Sequence, residues 1–206
     1  MLNFLEPEQE IGIRIKAMND LIPIVKSRRL QEHAVELLWI KVQDLASGNE
    51  KIEATKKSLE FLVAVIQGQY DQLYIMRAQF FRLIKTSPEK QENLLNQKIL
   101  MLDALTQKGR EIVHFEDEIG PLTQKLWVPI CAGSGQEVTQ IYMQIVLNLL
   151  KFNSAYMDTD VVCSTILALT KICQHGRKEE MKLCLNILDA IICYNHIPKE
   201  GNYPST

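Results

Sequence analysis

The sequence predicts an all-α protein whose helices lie side by side as an α-solenoid, and three observations lead there. Apolar residues recur at helical spacing in segment after segment, with polar residues between the stripes. Punctuation is sparse: 9 Gly and 7 Pro in 206 residues are too few for an all-β chain, which needs a turn about every 8 to 12 residues. One shape also repeats. Leu59-x-x-Leu62-x-Ala64-Val65 returns 40 residues later as Ile99-x-x-Leu102-x-Ala104-Leu105, and 86 residues after that as Leu185-x-x-Leu188-x-Ala190-Ile191. Val146-x-x-Leu149-x-x-Phe152 takes the place between, with Lys151 at the small-residue position.

A period of about 40 to 43 residues spanning two helices marks HEAT or armadillo stacking. The expectation is a right-handed α-solenoid of about nine helices, paired into four to five hairpins, as a single segment over residues 1–206.

In chain order, a first helix is expected from about Glu8 to Arg28, with Pro23 kinking it or marking a restart capped by Asn19 or Asp20. Leu30–Leu45 places Val35, Leu38, Trp39, Val42 and Leu45 on one stripe, and Gly48 suits a left-handed cap. Ile52–Gln67 follows, with Gly68 as its stop, and Tyr70–Ile84 pairs with it until Ser87-Pro88 breaks the pattern. Lys90–Lys108 closes at Gly109. Glu111–Trp127 is expected to be interrupted by Gly120-Pro121, and Pro129–Gln136 reads as a loop. Glu137–Phe152, Val161–Gln174 and Glu179–Cys193 complete the set, leaving Pro198–Thr206 as a tail.

Composition narrows function mainly by exclusion. Twenty-three basic and 25 acidic residues, net −2, give no overall field toward nucleic acid or an anionic membrane. The pairs Arg28-Arg29, Lys56-Lys57 and Arg177-Lys178 read as solvated helix ends rather than a phosphate-binding stripe. The acidic N-terminus lacks a signal-peptide pattern. The longest apolar run, Phe61–Ile66, is six residues, against the roughly 18 needed to cross a bilayer. Five cysteines, Cys131, Cys163, Cys173, Cys184 and Cys193, form no disulfide framework and read as reduced core residues of a cytoplasmic protein.

No catalytic constellation is complete, so neither catalytic nor cofactor-binding residues are expected, and no cofactor. Gly133-Ser134-Gly135 follows no strand and so is not a nucleophile elbow. Glu111 and His114 form one E-x-x-H, taken to lie on a helix, where a di-iron bundle needs two. Cys173, His175, Cys184, Cys193 and His196 fit no zinc spacing, so no metal site is expected. Glu116-Asp117-Glu118 suits a helix N-terminus, where carboxylates complement the dipole.

Several strings carry a resemblance when taken together and in order: Glu32-His33-Ala34-Val35-Glu36-x-Leu38-Trp39, Gln67-Gly68-Gln69, Ala78-x-Phe80-Phe81, Ala104-Leu105-Thr106-x-x-Gly109-Arg110-x-Ile112, Lys151-Phe152-Asn153-Ser154, and Leu188-Asp189-Ala190 through Asn195 and Pro198. They resemble the N-terminal region of the tuberin family, GTPase-activating subunits of the tuberous sclerosis complex, over most of Arg14–Glu200. The resemblance implies a non-catalytic HEAT-type scaffold that helps hold the coiled-coil partner hamartin. It implies a complex that activates GTP hydrolysis by the small GTPase Rheb, negatively regulates TOR signalling and can meet membranes only peripherally. Rheb would be reached only through the full-length protein, because the family's GTPase-activating domain, with its catalytic asparagine, has no matching position here. The alternative is a stand-alone helical-repeat adaptor unrelated to GTPase activation.

The last helix adds an expectation of its own. Met181, Leu183, Cys184, Leu185, Ile187, Leu188, Ile191, Ile192 and Cys193 cover more than one stripe, more than one neighbouring helix can hide. A further repeat or a partner is expected against that end, as for a segment truncated at its C-terminal side.

Overall fold

The structure is a computed structural model that describes residues 2–48, 51–86 and 94–194. Among these residues it contains nine α-helices and no strand: α1 (Ile11–Ser27), α2 (Ala34–Ala46), α3 (Ile52–Gln69), α4 (Met76–Thr86), α5 (Leu95–Thr106), α6 (Glu116–Cys131), α7 (Gln136–Phe152), α8 (Thr159–His175) and α9 (Lys178–Cys193). The expected Ser87-Pro88 break and the tail from Pro198 lie outside the described residues. The helices form two compact units, residues 1–105 and 106–206.

In the first unit α3 is the central rod, packed by α1 and by α2, which also meets α4. Leu59, Phe61, Leu62, Val63, Ala64, Val65 and Ile66 are all buried, so α3 is apolar nearly all round. A helix buried on several sides shows this pattern rather than a single stripe. Trp39 of α2 stands edge-on to Phe80 of α4, ring centroids 5.8 Å apart at 78°, an arrangement favoured by the ring quadrupoles.

Gly68 is not the stop expected of it. The helix runs on through Gly68 to Gln69, because here α3 presses against the backbone of α1: a Cβ on Gly68 would stand 2.1 Å from the Val25 carbonyl oxygen. Gln69, buried at 2% exposure, donates from Nε2 to the carbonyls of Val25 (2.5 Å) and Arg28 (2.7 Å) and accepts from the Leu30 amide at 3.0 Å. It thereby satisfies backbone groups that the end of α1 leaves open.

A second tie joins α1 to α2. Arg14, 2% exposed, donates to both carboxylate oxygens of Asp44 at 2.7 Å and to the Lys41 carbonyl at 2.8 Å. The paired geometry is the one in which guanidinium and carboxylate bind most strongly. Pro23 neither stops nor restarts α1. The hydrogen bond it removes is the one to the carbonyl of Asn19, an exposed residue where solvent can replace it.

The second unit is built from two hairpins, with α6 on α8 and α7 on α9. The expected break at Gly120-Pro121 does not occur: α6 is continuous through Pro121 and Pro129. Gly120 is needed for proximity instead, since a Cβ there would meet Val161 Cγ2 at 3.1 Å and the Tyr156 carbonyl at 3.2 Å.

The core of this unit is pinned by polar contacts as well as packing. Trp127 and Tyr142 meet edge to face at 4.8 Å; Trp127 Nε1 donates to Thr165 Oγ1 at 3.2 Å, and Tyr142 Oη donates to the Thr123 carbonyl at 2.5 Å. Full burial pushes the Tyr142 phenol well above its ordinary value, so it stays neutral and donates. Asp158 caps α8 by accepting from the Val161 amide at 2.9 Å.

Gly109, left-handed at φ 73°, lies against Phe152, whose Cγ would be 2.9 Å from an added Cβ. The Gly109 and Phe152 strings, 43 residues apart in sequence, therefore meet in space.

Candidate interaction surface

Among the described residues, the side chains that could bind a metal do not gather into a group. Glu111 and His114 lie in the turn before α6, not on a helix face as expected, so the spacing that would align them is absent. Among the described residues no group of three His, Cys, Asp or Glu could hold a metal ion, and His196 lies outside them. Ser134 sits in the loop joining α6 to α7. Glu116, Asp117 and Glu118 form the first turn of α6, as their charge suits. Of the basic pairs, Lys57 is tied to Glu60 at 2.8 Å, Arg28-Arg29 follow α1, and Arg177-Lys178 open α9. No helix among the described residues is long and apolar enough to cross a membrane.

The cysteines depart from expectation. All five are free thiols; Cys184 is buried and Cys131 half-buried, but Cys163, Cys173 and Cys193 are exposed. The apolar character of α8 and α9 suggested a core location. What it marked was a second apolar face on each helix, and none of the described residues covers that face.

The uncovered face is specific. On α9, Cys184, Ile187, Ala190 and Ile191 are buried against α7 and α8. Met181, Leu185 and Ile192 are exposed, the last two at 66% and 61%, and Leu188 is half-buried. These four are spaced by four, three and four residues, so they form one stripe. On α8, Ile166 and Leu167 are also exposed, Leu167 at 65%. Scattered exposed apolar residues are ordinary, but a contiguous row of them marks an interaction site. Sequence reading anticipated the excess on α9 and missed Ile166 and Leu167. The available signal was that α8 is apolar at 166 and 167 as well as on its Val161, Val162, Thr165, Ala168, Leu169 core stripe.

Each unit also carries a cleft. One of about 550 Å³ lies where the ends of α6, α7, α8 and α9 converge, lined in part by Lys171, Arg177 and Glu180. The buried Glu180 carboxylate accepts from the Arg177 amide at 2.9 Å and so serves the start of α9. The other, about 280 Å³, lies in the first unit beside the turn into α2. His33 (φ 62°) and Tyr74 (φ 42°), left-handed although neither is glycine, line it.

Residues 11–202 match the model of a family described as a domain of unknown function, DUF3384. The structure is similar to a solved chain titled "Structure of the TSC2 N-terminus", with a TM-score of 0.79 and 19% sequence identity, over 96% of this chain and 50% of that one. This chain therefore spans about half the length of the solved structure it matches. The architecture is that of the N-terminal helical solenoid of TSC2, or tuberin.

Proposed function

We propose that this chain, which belongs to the DUF3384 family, is a non-catalytic scaffold segment of a tuberin-like GTPase-activating protein, and that its α8–α9 face holds the coiled-coil partner hamartin. The observation that carries this reading is the bare stripe Met181, Leu185, Leu188, Ile192. Its spacing of four, three and four is that of the a and d positions of a heptad, the pattern that seats against another helix of the same kind.

In this reading the segment positions its partner and the chemistry lies elsewhere. GTP hydrolysis by Rheb is accelerated by a domain outside this chain, in the cytoplasm, and TOR signalling is restrained as the result. The scaffold's contribution is binding energy and geometry.

The test is co-purification of the folded chain with hamartin, followed by titration. Leu185→Glu with Ile192→Glu should weaken association at least ~30-fold, a hot-spot loss of about 2 kcal/mol or more, while circular dichroism stays unchanged. A well-folded wild-type chain that does not associate with hamartin overturns the reading and leaves the stand-alone adaptor in its place.

A further inference from the structure

The cleft of about 550 Å³ in the second unit shares no lining residue with the bare stripe of α9. It takes in the ends of α6 and α8 and the starts of α7 and α9. Two helix N-termini and two C-termini largely cancel as dipoles, so the side chains set the sign of the site. Lys171, His175 and Arg177 line it against a single carboxylate, that of Glu180. Glu180 is buried and its Oε2 accepts the Arg177 amide, so that carboxylate is already engaged at the start of α9. Arg177 Nη1 donates to Gln136 Oε1, a neutral group, which sets the guanidinium toward α7 and leaves most of its N–H donors to spare. Among the described residues, Lys171 and His175 have no hydrogen bond or ion pair. The lining therefore carries positive charge with no counter-charge of its own.

More donors come from the Gly133-Ser134-Gly135 loop and the first turn of α7. Gly133 and Gly135 line the cleft at φ 111° and 90°, with nothing within 4 Å of where a Cβ would stand, so the backbone there is open to close approach. Gly135 has no side chain with which to cap α7, and the first amides of that helix lack intrahelical acceptors. Ser134 Oγ, between the two glycines, is closed to solvent and has no hydrogen-bond partner. A buried orphan of this kind is one that a bound ion satisfies.

We propose that this cleft binds a phosphate monoester carried on a serine or threonine of a peptide segment. A guanidinium, an ammonium, an imidazole and open backbone amides belong to different elements around the cleft, which suits the three terminal oxygens of a tetrahedral phosphate better than a planar carboxylate. The phosphate supplies the negative charge that the lining lacks. A volume of about 550 Å³ has room for the carrier as well as the phosphate. Ile130 and Ile172 give the carrier an apolar wall, and no aromatic ring is among the described lining residues to stack a nucleotide base.

Calorimetric titration of the full chain with N-acetyl-O-phosphoserine amide tests this, with inorganic phosphate and adenosine monophosphate as other phosphate sources and N-acetylserine amide as the uncharged control. The expected result is saturable binding of the phosphoserine amide, tighter than that of any other probe, with amide NMR shifts confined to residues 133–139 and 171–180. Lys171→Gln with Arg177→Gln should weaken it at least ~10-fold through lost charge-assisted contacts. Lys178→Gln with Lys182→Gln removes the same charge from exposed residues outside the lining and should leave binding unchanged. All four positions are exposed, and circular dichroism should be the same for every variant. Absence of saturable binding, equal weakening by the two double variants, NMR shifts centred elsewhere or tighter binding of another probe overturns the proposal. No hamartin is present, so the outcome is independent of the scaffold reading.

Discussion

Helices α3 and α9 carry the same sequence shape and meet opposite fates. Leu59, Leu62, Ala64 and Val65 of α3 are each at most 1% exposed, while in α9 Ala190 and Ile191 are buried but Leu185, the first position of the same shape, is 66% exposed. The motif is equal in both, so the difference lies in the neighbours. Helix α3 is packed by α1 and α2, whereas α9 is packed by α7 and α8 and its other flank is left open by the described residues. A repeat motif thus specifies a helix with two adhesive flanks, and the surroundings decide whether both are used.

Truncation should separate the two helices most. Leu62→Ala in α3 removes fully enclosed atoms and should cost about 2–5 kcal/mol, the range for buried leucine truncations, as read by urea denaturation. A cost below about 1 kcal/mol would mean that α3 is less enclosed than its burial indicates.

Gly68→Ala tests the contact that encloses α3. The added methyl would press on the Val25 carbonyl and Lys26 Cα, backbone atoms that cannot rotate away, and overpacking of this kind costs about 1–3 kcal/mol. Thermal melting should record the loss, and an unchanged midpoint would show that α1 and α3 can move apart.

A smaller effect, dependent on pH, comes from Asp44. Hydrogen bonding to Arg14 holds its carboxyl below the ordinary value of 3.8, against the opposing effect of burial. Because the folded value is the lower one, the stabilisation is complete well above 3.8 and is lost as pH falls through 3.8 toward the folded value. Asp44→Asn should cost about 1 kcal/mol at neutral pH, discounted for solvent screening, with the gap from wild type closing in acid. A gap that stays constant from pH 7 to pH 3 would show that the charge is not what matters there.

The smallest effect belongs to the open flank. Leu185→Ala should change the stability of the isolated chain by less than about 0.5 kcal/mol, as surface substitutions do. A loss near that of Leu62→Ala would mean that something already covers α9 in solution.

Much of this could be read beforehand because it is local. The stripes of α2, α7, α8 and α9 and the left-handed turns at Gly48 and Gly109 follow from residue spacing and from which residues tolerate positive φ. Gly68, Gly120 and Pro121 were misread for a shared reason. Each looks like a helix terminator in one dimension, yet Gly68 and Gly120 serve close approach of another element, and Pro121 is carried within a packed helix. Arg14 and Gln69 gave no warning either, since their partners lie 27 to 30 and 39 to 44 residues away.

The amino-acid order by itself determined that the described chain is helical, where most helices begin and end, and that α9 has more apolar surface than one neighbour can cover. These properties depend on residues three or four apart, which the backbone alone brings together. Only the tertiary structure decided which flank of α9 stays bare and that a glycine inside α3 is there for contact. Those depend on helices that are neighbours in space, and spacing along the chain does not encode which side they will take.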